Sequence, residues 1–306
     1  MKNAVWIWIV RVVSLCVLGP IAGGLMGSLR GGDGAAYATA FVSDSLVGGL
    51  FALIAVFFLA MIGGIIATKA VSLREGVLNM GLVVAWGAWG AGQVGEALRG
   101  APGSGSLVML AAEGAVALVL ALVGLVMLSK ASGHGVGRGD GRGLEHDDCV
   151  RVDGEVVKRI GGAAGPSLML VGIGVGVSML LVWLQVQNDL SGQAVWGGFI
   201  GACLAGVFGG MVLKNHSLKH ERSGEADLSL VPVMVGVMLG AVIGPVLTMV
   251  MPGSGKVLHA LALGEAPGWM MMSSLAWVGG ALIGTPVGFS WVESSVARQQ
   301  VQAARG

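Results

Sequence analysis

Along most of the chain the hydrophobic residues neither alternate nor keep to one helical stripe; they run on for about twenty residues at a time. Eight such stretches, 4–26, 46–67, 77–97, 106–128, 167–187, 194–213, 231–251 and 274–293, are separated by polar or Gly-rich segments. A helix needs about 20 residues to cross a hydrocarbon core roughly 30 Å thick. In lipid every backbone N–H and C=O must find a partner within the protein, and a continuous apolar run does so only as a helix. The pattern predicts an all-α fold, a polytopic transmembrane helical bundle of about eight spans.

The residues between the runs orient it. With the N-terminus, the loops 68–76, 129–166 and 214–230, and the C-terminus on one side, that side carries fourteen Lys and Arg against three (Arg30, Arg99 and Lys256) on the other. Basic loops stay in the cytoplasm, so both termini are expected inside and the span number even. Trp6, Trp8, Trp183, Trp196, Trp277 and Trp291 fall near span ends, where indole rings favour the headgroup level; Trp86 and Trp89 fall within the third run. The first run resembles a secretory signal, but Arg11 interrupts it and the nearest small-residue site, Ala38-Thr39-Ala40, lies far downstream. It is expected to remain as a span in the inner membrane.

Three regions follow: a first transmembrane half (1–128), a cytoplasmic Gly-rich linker (129–166) and a second half (167–306). Within the linker, Val150–Val157 around Asp153-Gly154 reads as a short β-hairpin. The halves echo each other. Lys69-Ala-Val-Ser-Leu-Arg matches Lys214-Asn-His-Ser-Leu-Lys, Pro102-Gly-Ser-Gly matches Pro252-Gly-Ser-Gly, and Leu110-Ala-Ala-Glu-Gly matches Leu275-Ala-Trp-Val-Gly. The matches come in the same order, so a tandem four-plus-four repeat is expected, its units parallel about an axis along the membrane normal.

Composition changes the picture little. Of 306 residues 55% are hydrophobic and 11% charged, against roughly 25% charged in soluble domains. The net charge of +1 gives no footing for nucleic acid. Cys16 and Cys203 lie in apolar runs and Cys149 in the linker, so no disulfide framework is expected.

Candidate chemistry is sparse. Arg11 and Glu113 are charges inside spans, each costing roughly 2.5–3.5 kcal/mol at a helix centre on insertion scales. By depth they would come within reach of each other if spans one and four were neighbours, forming a gate or solute-binding pair. The plainer reading is a snorkelling Arg and a hydrogen-bonded Glu that fixes packing. Small residues recur every fourth position at Gly197, Gly201 and Gly209, at Gly236, Gly240 and Gly244, and at Gly280, Gly284 and Gly288. Such a glycine zipper packs helices tightly within a bundle or against a partner. Pro20, Pro245 and Pro286 interrupt three spans, and broken helices are where transporters bind solutes. Glu96 and Glu265, with Glu113, would form an acidic outer vestibule, and Lys256–Glu265 an interfacial helix. His216 and His220, at i and i+4, are weak metal candidates. No Gly-rich loop ending in Gly-Lys-Ser/Thr and no Gly-x-Ser-x-Gly is present, so no enzyme activity and no cofactor is expected. The expectation is a small-solute permease or channel-like transporter. The alternative is a non-catalytic membrane scaffold or subunit, its partners being the lipid bilayer and a second copy or complex member held through the Gly-rich faces.

Overall fold

A computed structural model describes residues 2–29, 39–43, 45–92, 94–100, 103–133, 164–187, 190–220, 230–251, 254–263 and 265–303. The chain opens with α1 (Lys2–Val13), a π-helical stretch (Ser14–Leu18) and α2 (Gly19–Gly27), which together form one span. Then come α3 (Leu46–Ala70), α4 (Leu73–Gly90), the short α5 (Val94–Gly100) and α6 (Ser104–Gly133). The second half comprises α7 (Ala164–Gln185), α8 (Ser191–His220), α9 (Val231–Val250), the short α10 (Ser254–Leu263) and α11 (Gly268–Met271), and α12 (Ser274–Ala303). The linker hairpin, and Cys149 with it, lies outside the described residues.

Among the described residues seven helices are long and apolar enough to cross a membrane. They are the first span and α3, α6, α7, α8, α9 and α12. The helix α4 runs beside them at 18 residues, which at 1.5 Å per residue is about 27 Å. This is an all-α polytopic bundle of about eight spans, as the apolar runs predict. The third span differs in register from the predicted 77–97. It starts at Leu73, so that Arg74 and Glu75, read as loop residues, form its first turn, and it stops at Gly90. Ser72 caps it, its hydroxyl accepting from the Glu75 N–H at 3.3 Å.

The packing places α12 centrally: 78% of its apolar stretch is buried, against 22% for the first span. In the first half α2 packs on α3 and α4, and α3 on α4 and α6; in the second, α7 packs on α8 and α9, while α12 packs on both α8 and α9. Between the halves α4 meets α12 and α9 meets α6. Exchanging the halves maps the pair α2–α4 onto α7–α9, α3–α6 onto α8–α12, and α4–α12 onto α9–α6. The short helices α5 and α10, which follow the third and seventh spans, pack on each other. The second occupies the stretch expected to hold an interfacial helix.

Glycine sets the closest approaches. A Cβ on Gly90 would stand 2.1 Å from the carbonyl oxygen of Gly23, and one on Gly288 1.8 Å from that of Cys203. Trp6, Trp8, Trp183, Trp196 and Trp291 are more than half exposed, as lipid-facing indoles should be. Trp277 is not: it is 1% exposed and fills the space over Gly240. Its depth was legible, but its azimuth points inward.

Candidate functional site

The polar chemistry inside the bundle gathers at two ends of the same helices. At the first end, Arg11 in the last turn of α1 forks onto Glu75 in the first turn of α4. Its Nε donates at 3.0 Å and its Nη2 at 2.5 Å to the two carboxylate oxygens. The neighbouring residue reverses the polarity. Arg74 donates from Nη1 to Glu293 of α12 at 3.1 Å and from Nη2 to the Pro286 carbonyl at 2.5 Å. Consecutive residues of α4 thus tie it to the first span and to the last. The pairing of Arg11 with Glu113 envisaged from their depth is not formed; Arg11 spends its fork on Glu75. The Ser72-x-x-Glu75 spacing is a helix-start signal that would have placed Glu75 in a span.

At the other end Glu113, in the third turn of α6 and 1% exposed, accepts from the Ser274 hydroxyl and from the Phe41 N–H at 3.0 Å. The segment 39–43, which follows the first span, dips into the bundle to supply that donor; Thr39 and Ala40 are 1% and 0% exposed. Ser274 opens α12. Glu113 therefore knots α6, α12 and a connecting segment in a dry interface. Glu96 is half-buried on α5 and Glu265 is exposed just after α10. Glu113 itself is sealed off, so the three carboxylates do not share one open vestibule.

Between these ends lies a partly open cavity of about 430 Å³. Leu15 of the π-helical stretch, Leu82, Ala85, Trp86 and Trp89 of α4, Val195, Trp196 and Phe199 of α8, and Ile283 of α12 line it. Both halves contribute, and the wall is apolar. The Trp196 and Phe199 rings stack obliquely, centroids 5.3 Å apart. Trp86 has a second role: it lies against Gly19 and Gly23, where a Cβ on Gly19 would stand 2.3 Å from the ring. Of these residues the sequence singled out Trp196, as an indole near a span end, and Trp86 and Trp89, as indoles inside a span. That misplacement was the available signal.

The remaining candidates fall elsewhere. Pro20 is the second residue of α2, just after the π-helical stretch, where its missing N–H breaks the regular hydrogen-bond register. Pro245 and Pro286 lie inside α9 and α12. The nine zipper glycines all face neighbours in the same chain. Gly197, Gly201 and Gly209 meet Val186, Ser178 and Val233; Gly236, Gly240 and Gly244 meet Val171, Trp277 and Trp269; Gly280, Gly284 and Gly288 meet Gly198, Phe199 and Cys203. These glycines thus pack helices of the same chain against one another, the within-bundle half of the expectation. His216 and His220 lie on the last turns of α8, and their side chains are outside the described residues. Among the described residues no group of three potential ligands could hold a metal ion. No family model, no curated protein and no solved structure matches this chain.

Proposed function

We propose that this integral membrane protein is a permease-type carrier for a lipid-soluble small molecule that enters sideways from the bilayer. The cavity carries the reading. It is within the roughly 300–1,000 Å³ of small-molecule sites, it is apolar, it is partly open, and both halves wall it. A hydrophilic solute would need a wetted polar path, and the strongest intramembrane carboxylate, Glu113, is committed to fixed donors in a dry contact. The helix pairings that correspond on exchange of the halves support a tandem four-plus-four origin, the usual plan of carriers. The Lys and Arg bias supports an inner-membrane protein with both termini cytoplasmic. We assign it no catalytic step. The alternative, a non-catalytic scaffold, is favoured by one observation: α8 and α12 touch backbone to backbone at Gly280, Gly284 and Gly288, which leaves them little room to slide.

The test is photolabelling of the purified protein in proteoliposomes with a diazirine-bearing hydrocarbon. Saturable labelling of peptides from α4 and α8, lost in Val195→Trp, is the expected result. Unsaturable labelling spread evenly over all lipid-facing helices, and unchanged in that variant, would overturn the reading.

A further inference from the structure

The cavity wall carries aromatic rings from both halves of the chain. In the first half α4 supplies Trp86 and Trp89, and in the second α8 supplies Trp196 and Phe199. The two α8 rings touch each other, whereas neither α4 indole is in ring contact with them. The aromatic side chains of the two helices thus stand apart, with the cavity between them.

The orientation of Trp86 follows from the glycine against it. A Cβ on Gly19 would stand 2.3 Å from Cδ1 of the indole, and 2.6 and 2.7 Å from its ring neighbours Cγ and Nε1. Such small and nearly equal excesses put that point above the ring; beyond the ring edge, both neighbours would lie much further off than Cδ1. The first span therefore covers one face of the indole and leaves the opposite face to the cavity that Trp86 lines. At one end Trp89 bridges the gap to α8, its outermost ring carbon 3.3 Å from where a Cβ on Gly192 would stand. Behind the gap α4 packs directly on α12, since a Cβ on Gly81 would stand 2.6 Å from Ile283 and one on Gly279 3.0 Å from Ala85.

Apart from the indole N–H groups, the side chains of the wall offer no hydrogen-bonding group and no charge. Burial from water cannot favour such a site over the bilayer, because lipid tails are as apolar as leucine. A saturated chain gains little by exchanging one hydrocarbon environment for another. An aromatic ligand gains what lipid tails cannot give, ring contacts worth more than the area they bury. A rigid, flat molecule also loses less freedom on binding than a flexible chain. Tryptophan faces attract cations as well, but the wall holds no carboxylate to balance one, and Glu75 of α4 is engaged by Arg11. A buried charge without a partner is costly.

We propose that the cavity selects a neutral, flat, fused-ring molecule, clasped between Trp86 of one half and Trp196 and Phe199 of the other. The proposal rests on the cavity being the binding site.

The experiment uses the full chain in phosphatidylcholine nanodiscs and the saturable labelling of α4 and α8 peptides by a diazirine-bearing hydrocarbon. Phenanthrene competes with the label in one series and its saturated counterpart, perhydrophenanthrene, in the other. Both are dosed to equal mole fraction in the lipid, which cancels their different partitioning. In the wild type phenanthrene should displace half the label at a mole fraction roughly two- to twelvefold lower, the worth of one aromatic pair. Trp196→Leu and Trp86→Leu should each shrink that preference while leaving displacement by perhydrophenanthrene intact. Equal displacement by the two competitors in the wild type overturns the aromatic class and leaves the cavity reading standing. An undiminished preference in Trp196→Leu overturns the clasp. Stronger displacement by tetraphenylphosphonium than by phenanthrene overturns the neutral class. Labelling that does not saturate in the wild type, and that neither competitor reduces, brings down the cavity reading itself. The wild-type comparison and Trp196→Leu, a change at a lipid-exposed position, decide the matter even if Trp86→Leu fails to fold.

Discussion

Replacing Glu113 by Leu removes the acceptor that holds three elements together, and its effect can be worked out donor by donor. The Phe41 N–H and the Ser274 hydroxyl both lose their partner. A buried donor left unsatisfied costs about 1–3 kcal/mol. Phe41 has no alternative, because its N–H is fixed by the backbone of segment 39–43. Ser274 rotates freely and recovers part of its loss. The sum is about 2–4 kcal/mol, a large fraction of the roughly 5–15 kcal/mol that separates folded from unfolded states.

Glu113→Gln is a sharper control. Its amide oxygen accepts from Phe41, and its NH2 donates to Ser274 Oγ, which turns from donor to acceptor. The Phe41 N–H and the Ser274 oxygen are then both paired, while the second amide N–H and the Ser274 proton must find new acceptors, so this variant should lose less than Glu113→Leu, about 1–2 kcal/mol. Thermal unfolding in detergent, followed by near-ultraviolet circular dichroism or light scattering, measures both. A double-mutant cycle adds the decisive term. With Leu at 113, Ser274→Ala removes an orphan instead of a bond, so Glu113→Leu/Ser274→Ala should be less destabilised than the two single changes together by about 1 kcal/mol. A stable Glu113→Leu protein, or strict additivity in the cycle, would show that the carboxylate does not hold segment 39–43 in place.

Three further outcomes are expected. Glu75→Arg or Arg11→Glu should each abolish folded yield, while the double reversal restores most of it, as read by size-exclusion chromatography; no restoration would mean that the fork between α1 and α4 contributes nothing. Arg74→Lys should lose about 1–2 kcal/mol in the same thermal assay, because an ammonium cannot span Glu293 and the Pro286 carbonyl as the planar guanidinium does; a wild-type melting point would refute that. Gly90→Ala should destabilise strongly, since the new methyl would stand 2.1 Å from the Gly23 oxygen, whereas Gly172→Ala and Gly176→Ala meet nothing within 4 Å and should be neutral or gain up to about 1 kcal/mol of helix propensity. Equal melting points across those three would undo the packing account of α2 on α4.

Depth along the membrane was legible in the sequence; azimuth about each helix was not. Apolar run length gave the helices because lipid leaves the backbone no other solution. It misjudged the start of α4 because Arg74 and Glu75 lower the local hydropathy, although each is neutralised by a partner from another helix. Hydropathy sums residues and is blind to such pairs. The same blindness explains Arg11 and Glu113. Their depths are compatible with contact, but α6 turns Glu113 towards Ser274, 161 residues away, and the first span turns Arg11 towards α4. Trp277 had the depth of a headgroup anchor and the azimuth of a core residue. The cavity depends on four helices at once, so it has no signature in any one stretch. Only the unusual depth of Trp86 and Trp89 hinted at it.

The first span is the element whose movement would change the cavity. Only 22% of its apolar stretch is buried, the same share as that of α7 and below those of α3, α6, α8, α9 and α12. On its side of the bundle, the contacts that hold it to α4 are the Arg11–Glu75 fork near one end and Gly19 and Gly23 on Trp86 and Gly90 near the other. The π-helical stretch joins those two anchor points and carries both Leu15 of the cavity wall and the unpartnered Ser14. Because Trp86 touches Gly19 on one side and the cavity on the other, closely packed atoms leave no slack between them. A shift of the first span that parts Gly19 from the indole must therefore reshape the cavity, and it must do so against the ion pair, which resists only at the far end of the lever.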